Sequence, residues 1–84
     1  MPYIQMVDRQ RIEPVIEPML REAEGYSLGE LNYIITRLIH TALGRTSYAR
    51  IAELTGVLEN VKQEFYRRKA APYEDTKIAE NGDV

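Results

Sequence analysis

Between Arg50 and Pro72 the chain reads RIAELTGVLENVKQEFYRRKAAP, and apolar side chains return at Ile51, Leu54, Leu58, Val61 and Phe65. Alternating steps of three and four follow the turn of an α-helix and do not fit the two-residue alternation of a half-buried strand. The next place in this series is Arg68, so the seam runs into a cation flanked by Arg67 and Lys69. Val57 broadens the stripe. Gly56 sits inside the helix, where it costs about 1 kcal/mol relative to alanine. Either another backbone approaches that glycine or it is simply tolerated.

A second amphipathic segment comes before this one. Ser27-Leu28-Gly29-Glu30 has the form of a capping box, in which the serine hydroxyl and the glutamate carboxylate each satisfy the other's backbone N–H. Leu28, Leu31, Ile35, Leu38 and Ala42 then repeat the three-four spacing, and Gly44 supplies a stop. The spacing predicts helices over residues 28–43 and 47–70, the latter capped by Thr46 or Ser47. So short a connection forces an antiparallel hairpin.

Upstream, Ile12, Val15, Ile16, Met19 and Leu20 predict a helix over 14–24, with Pro14 at its first position and Gly25 after its end. Pro18 falls one turn inside, where its ring presses on the preceding turn; the helix then starts nearer Glu17 or bends there. Residues 1–13 read as an arm. Tyr3, Ile4, Met6 and Val7 make it too apolar for a free tail. It is a short strand or extended cover over its own subunit's core, or it exchanges onto a neighbour. Pro72 is expected to end the third helix and open a short one over 72–80, with Glu74 and Asp75 in its first turn and Asn81-Gly82 as its stop. The resulting expectation is a single all-α domain over residues 1–84. Its centre is an antiparallel helical hairpin of helices two and three, with a packed N-terminal helix and a short C-terminal one.

The chain has 84 residues and no cysteine, which removes disulfides and thiolate metal clusters. A domain of this size without such staples needs tightly packed helices or partner subunits, so a homo-oligomer, a dimer or higher, is expected. With 11 basic and 13 acidic residues the net charge is −2, which lacks the broad positive footprint of a nucleic-acid binder. No apolar run approaches the ~20 residues of a membrane span, and MPYIQMVDRQ lacks the form of a signal peptide. These features point to a cytoplasmic protein without a membrane partner.

The candidate ligand-binding residues are Tyr66, Arg67, Arg68, Lys69 and Tyr73. Guanidinium groups grip phosphate oxygens in pairs, and tyrosine rings stack on bases. The competing reading is structural: Arg68 pairs with Glu64, and Arg67 with Glu74 or Asp75 across the Pro72 turn. His40 stands alone, without a serine or cysteine nucleophile motif. Glu53, Glu59 and Glu64, six and five residues apart, do not share a helical face as metal ligands would. No metal site, catalytic residue or cofactor motif is assigned, and the chain reads as non-enzymatic.

Two alternatives remain. A magnesium-dependent helical nucleotide pyrophosphatase needs carboxylate pairs on adjacent helices, whereas helix two offers only Glu30, already used in a cap. A helix-turn-helix regulator could place Thr46, Ser47 and Arg50 in a DNA groove, against the acidic charge and the long apolar stripe of helix three.

Two stretches carry a resemblance. GELNYIITRLIH (Gly29 to His40) and GVLENVKQEFYRRKAAPYEDTKIAENGDV (Gly56 to Val84) resemble a family of short uncharacterised proteins of tailed phages and prophages. The resemblance implies a phage or prophage accessory protein acting in its host's cytoplasm. Such small helical proteins work by binding a host protein or a nucleotide signal. The resemblance assigns no site residue.

Overall fold

The computed structural model describes residues 3–84; the first two positions of the expected arm, Met1 and Pro2, lie outside the described residues. Four α-helices follow in order: α1 (Met6–Glu22), α2 (Leu28–Leu43), α3 (Tyr48–Phe65) and α4 (Ala71–Asn81). A 3₁₀ turn over Ala23–Gly25 closes α1, and a π-helical turn over Tyr66–Ala70 joins α3 to α4. Among the described residues there is no strand.

The capping chemistry places α2 and α3. Ser27 Oγ accepts from the Glu30 N–H at 3.1 Å, and the Ser27 N–H donates to Glu30 Oε1 at 2.8 Å, so both halves of the box form. Gly44 ends α2 at φ +61°, a left-handed value that suits a residue without Cβ. Ser47, rather than Thr46, caps α3 by accepting from the Arg50 N–H at 3.1 Å. Arg50 then reaches back across the connection, and its Nη2 donates to the Ala42 carbonyl at 3.1 Å. That bond satisfies one of the carbonyls left open at a helix C-terminus and fastens the hairpin at its closed end.

The N-terminal boundary corrects the sequence reading. Residues 6–13 are not an extended arm: α1 begins at Met6, eight residues before Pro14. The Gln5 carbonyl opens the helix by accepting from the N–H groups of Asp8 and Arg9 at 3.0 and 3.1 Å. An Asp8–Arg11 ion pair adds to the first turn. Pro14 and Pro18 both lie inside the helix. Spaced four apart, each removes an N–H at successive turns of the same face, and the flanking turns carry the helix through. Ile12 and Ile16 are half-buried, yet the α1 backbone does not come within 8 Å of α2, α3 or α4.

The other end differs too. Pro72 does not terminate the third helix, because α3, the π turn and α4 run on without a break from Tyr48 to Asn81. A proline in an α-helix lacks the N–H its turn needs, and its ring collides with the carbonyl four residues back. Here the winding loosens just before it: the Ala71 N–H donates to the Tyr66 carbonyl five residues back, the signature of a π turn. The composite helix stops at Gly82, φ +87°, as the Asn81-Gly82 pair predicts.

At about 1.5 Å per residue this helix accounts for the 50 Å long axis. The radius of gyration is 16.5 Å, against about 12 Å for a compact chain of this length. Only Leu54, at 8 % exposure, is buried among the described residues.

Candidate functional site

The charged end of α3 is organised by a residue far from it in sequence. Tyr3 places its hydroxyl between Arg67 and Arg68 and donates to Glu64 Oε1 at 2.6 Å. Arg67 Nη2 donates to the same hydroxyl and to the same carboxylate oxygen, each at 2.7 Å. Arg68 Nη2 donates to the hydroxyl at 2.9 Å, and its Nε donates to Glu64 Oε1. The Arg68 guanidinium also stands 5.7 Å from the centroid of the Tyr3 ring.

Helix geometry explains why these groups meet. Residues three and four after Glu64 lie on its face one turn further on, so both arginines reach back to it. Charge-assisted hydrogen bonds from Arg68, then from Tyr3 and Arg67, stabilise the ionised carboxylate and pull Glu64 down to about 2. The same bonds to Glu64 raise Arg68 and Arg67 above the ordinary arginine range. Two cations share one anion, leaving the cluster with a net charge of about +1 before Lys69 is counted.

The five residues singled out in the sequence stand in different surroundings. Arg67 and Arg68 turn toward Tyr3 and Glu64. Tyr66 and Arg67 line a shallow cleft of about 700 Å³, together with Gln63, Phe65 and Ala70. Lys69 forms no ion pair among the described residues. Tyr73 sits on α4, where the Lys77 ammonium lies 5.5 Å from its ring centroid.

The expected pairing of Arg68 with Glu64 is present. That of Arg67 with Glu74 or Asp75 is not: Arg67 bonds to Glu64 instead. The unbroken helix is the reason, since Glu74 and Asp75 lie about two turns beyond Arg67 rather than folded back upon it.

Tyr3 is the member that sequence reasoning missed. Nothing in a local pattern couples residues 61 positions apart. The available signal was the apolar character of the first residues, which called for a partner without naming one.

The groups invoked by the alternatives are dispersed or engaged. Arg50 is exposed, and its guanidinium is engaged with the Ala42 carbonyl. Glu59 bonds Gln63 and Lys62 along its own helix, and Glu64 belongs to the tyrosine–arginine cluster. Among the described residues no group of three or more acidic or histidine side chains converges as a metal site would require. No described helix is long and apolar enough to cross a membrane.

With this geometry in view, comparison with known families gives a match. It runs over residues 1–84 and is to the family described as Domain of unknown function (DUF6899). The chain belongs to that family. No curated protein and no solved structure matches it. For a DUF6899 chain, then, the chemistry has to be read from its own side chains. Tyr66 sets an aromatic ring beside Arg67, a pairing suited to a flat anionic group.

Proposed function

We propose that this protein is a non-enzymatic binding module that works as an assembly of its own copies. It presents the Tyr66–Arg67 cleft to a host protein's acidic surface or to a nucleotide. The observation that carries the reading is the unfinished core. A compact monomer of 9.7 kDa exposes about 5,100 Å², whereas this chain exposes 7669 Å² with one buried side chain among its described residues. A chain that leaves so much apolar surface uncovered has its remaining contacts on other molecules.

The anionic preference rests on Arg67 and Arg68. Their shared acceptor, Glu64 Oε1, is a single carboxylate oxygen, and the two forks retain donors that Glu64 and Tyr3 do not use. Lys69 adds charge one residue further on. The resemblance of residues 56–84 to phage and prophage proteins supports an accessory role during infection or lysogeny.

Native mass spectrometry of the protein purified from its host cell tests both parts. The expected spectrum shows multiples of the chain mass with a retained small anion or a bound host protein. A bare single-chain mass would overturn the reading. For the anion, binding of a fluorescent adenine nucleotide should fall at least tenfold in an Arg67→Glu, Arg68→Glu chain that keeps its helical circular dichroism.

A further inference from the structure

We infer that a second copy of this chain docks into the open mouth of the α2–α3 hairpin. Its own α2 and α3 lie against the first pair and complete a four-helix core about a two-fold axis. The inference rests on the self-assembling reading above and names its surface.

The hairpin is closed at one end only. Near the connection, Ile39 and Leu43 of α2 face Ile51, Leu54 and Leu58 of α3 around a small apolar cleft of about 220 Å³. Away from the connection the same stripes lose their cover. On α3, Val61 and Phe65 continue the three-four series that Leu54 begins, yet Phe65 is 68 % exposed. On α2, Leu28 at the far end is 85 % exposed, and Leu38, beside Ile39 nearer the connection, is 66 % exposed as well. One continuous apolar stripe is thus buried at Leu54 and bare two to three turns later. A helix face patterned for a core and left open over most of its length lacks a partner element.

The area fits a second copy. The excess over a compact monomer is about 2,500 Å² per chain, or about 5,000 Å² over two chains, which matches the upper part of the range for obligate homodimer interfaces rather than the smaller contacts of transient partners. A two-fold arrangement lets the same stripe serve both sides, since each copy brings the aliphatic surface that the other lacks. The stripe positions Leu54, Leu58, Val61 and Phe65 carry no charge, so two copies meet there without repulsion. Charged residues such as Glu53, Lys62 and Gln63's neighbour Glu64 lie off the seam. Antiparallel pairs of short-looped hairpins are a standard route to a bundle of four.

Light scattering and thermal melts on the whole chain, from low micromolar to several hundred micromolar, test the surface. The wild-type protein should have twice the 9.7 kDa chain mass and a melting temperature that rises with concentration. Leu38→Glu should weaken association at least a hundredfold and give the single-chain mass. Val61→Glu should do the same. Ala52→Glu, off the stripe, should leave mass and melting unchanged.

A Leu38→Glu chain that also loses its helical signal supports the interface, because a lone chain leaves Leu38 largely exposed and has little packing there to lose. A wild-type protein that is monomeric throughout, with concentration-independent melting, overturns the inference and the self-assembling reading together. A wild-type oligomer unmoved by both Leu38→Glu and Val61→Glu overturns this surface alone.

Discussion

Arg68 holds Tyr3 in two ways at once: its guanidinium stands 5.7 Å from the ring centroid, and its Nη2 donates to the hydroxyl at 2.9 Å. The ring's face attracts the cation while the hydroxyl accepts from it, so the aromatic and polar parts of the tyrosine are used together. Through this contact the chain before α1 is tied to the far end of α3. Removing the hydroxyl alone separates the two parts. In Tyr3→Phe the ring contact survives, but Glu64 loses one donor and both arginines lose an acceptor. The Glu64 carboxyl should then titrate well above its value of about 2, toward the ordinary 4.5, in carbon-detected NMR. An unchanged titration would show that Tyr3 contributes nothing to the ionised state.

The acid limb of stability follows from the same cluster. A carboxylate held below its ordinary range stabilises the folded chain fully above about 4.5. That contribution is lost progressively as pH falls from about 4.5 to about 2, because the unfolded chain takes up the proton first. Glu64→Gln should remove this limb and flatten the melting temperature between those pH values. A Glu64→Gln melt that still falls as steeply as wild type over that window would assign the acid sensitivity to other carboxylates.

Releasing the arginines should also change binding. In Glu64→Gln neither Arg67 nor Arg68 has an ionised partner in the cluster, and the net local charge rises by one. A phosphate-bearing probe should therefore bind several-fold more tightly, with a steeper salt dependence, while Arg67→Glu with Arg68→Glu abolishes binding. Tightening in the first and loss in the second identify the arginines as a recognition surface. Loss of the fold in the second would identify them as a structural clasp.

How far the sequence reveals this protein depends on the range of each interaction. The capping box at Ser27 and Glu30, the Ser47 cap and the stops at Gly44 and Gly82 are local, and each forms where its residues predict. The hairpin follows from a short connection between two such helices. The start of α1 is harder to read because Pro14 resembles a helix start, while the helical bonds from Gln5 onward carry no distinctive residue type. The continuity through Pro72 is hidden for a similar reason. Proline signals a break, and its accommodation by a π turn depends on the winding of the preceding five residues. At the candidate site, the Glu64–Arg68 pair is visible as a four-residue spacing. Tyr3 is not, because its partnership depends on how the ends of the chain meet in space.

The closed end of the hairpin offers a test of how much one clasp contributes. Arg50→Ala removes the donor to the Ala42 carbonyl but leaves the Ser47 cap, which uses the Arg50 backbone N–H. The expected loss is about 1 kcal/mol, the scale of a hydrogen bond to a charged donor weakened by solvent exposure. Ser27→Ala, which dismantles the capping box, should cost about 1 kcal/mol as well. Urea denaturation at fixed protein concentration measures both. Neither loss appearing would mean that assembly, rather than these caps, sets the stability of α2 and α3.

Gly56 answers the question its position raises. A Cβ built there meets nothing within 4 Å, so no backbone of the same chain explains the glycine. It also lies opposite Leu54 and Leu58 on α3, away from the stripe assigned to the second copy. Gly56→Ala should therefore raise stability by up to about 1 kcal/mol through helix propensity alone. A fall in stability without a change of mass would place another molecule against this face.

Pro72 is the cause assigned to the π turn, and its replacement gives the most direct reading of how the two halves of the long helix are set. Alanine restores the N–H and removes the ring that crowds the Arg68 carbonyl, so nothing then opposes regular α-helical winding. Closing the turn removes one residue from the bulge and rotates α4 by about 100° relative to α3. Tyr73 and Lys77, which stack on one another, should move together to a new face, while Glu64, Arg67 and Tyr3 stay in place. Pro72→Ala should accordingly gain ~1 kcal/mol or more in helix stability, since proline is the least favourable helix residue. Backbone NMR can follow the change through the Ala71 N–H, whose acceptor should shift from the Tyr66 carbonyl to that of Arg67. If nucleotide binding survives this rotation intact, Tyr73 lies outside the site and recognition belongs to Tyr66 and Arg67. If binding is lost while the Glu64 titration is unchanged, the π turn is what holds the two tyrosines in a common orientation.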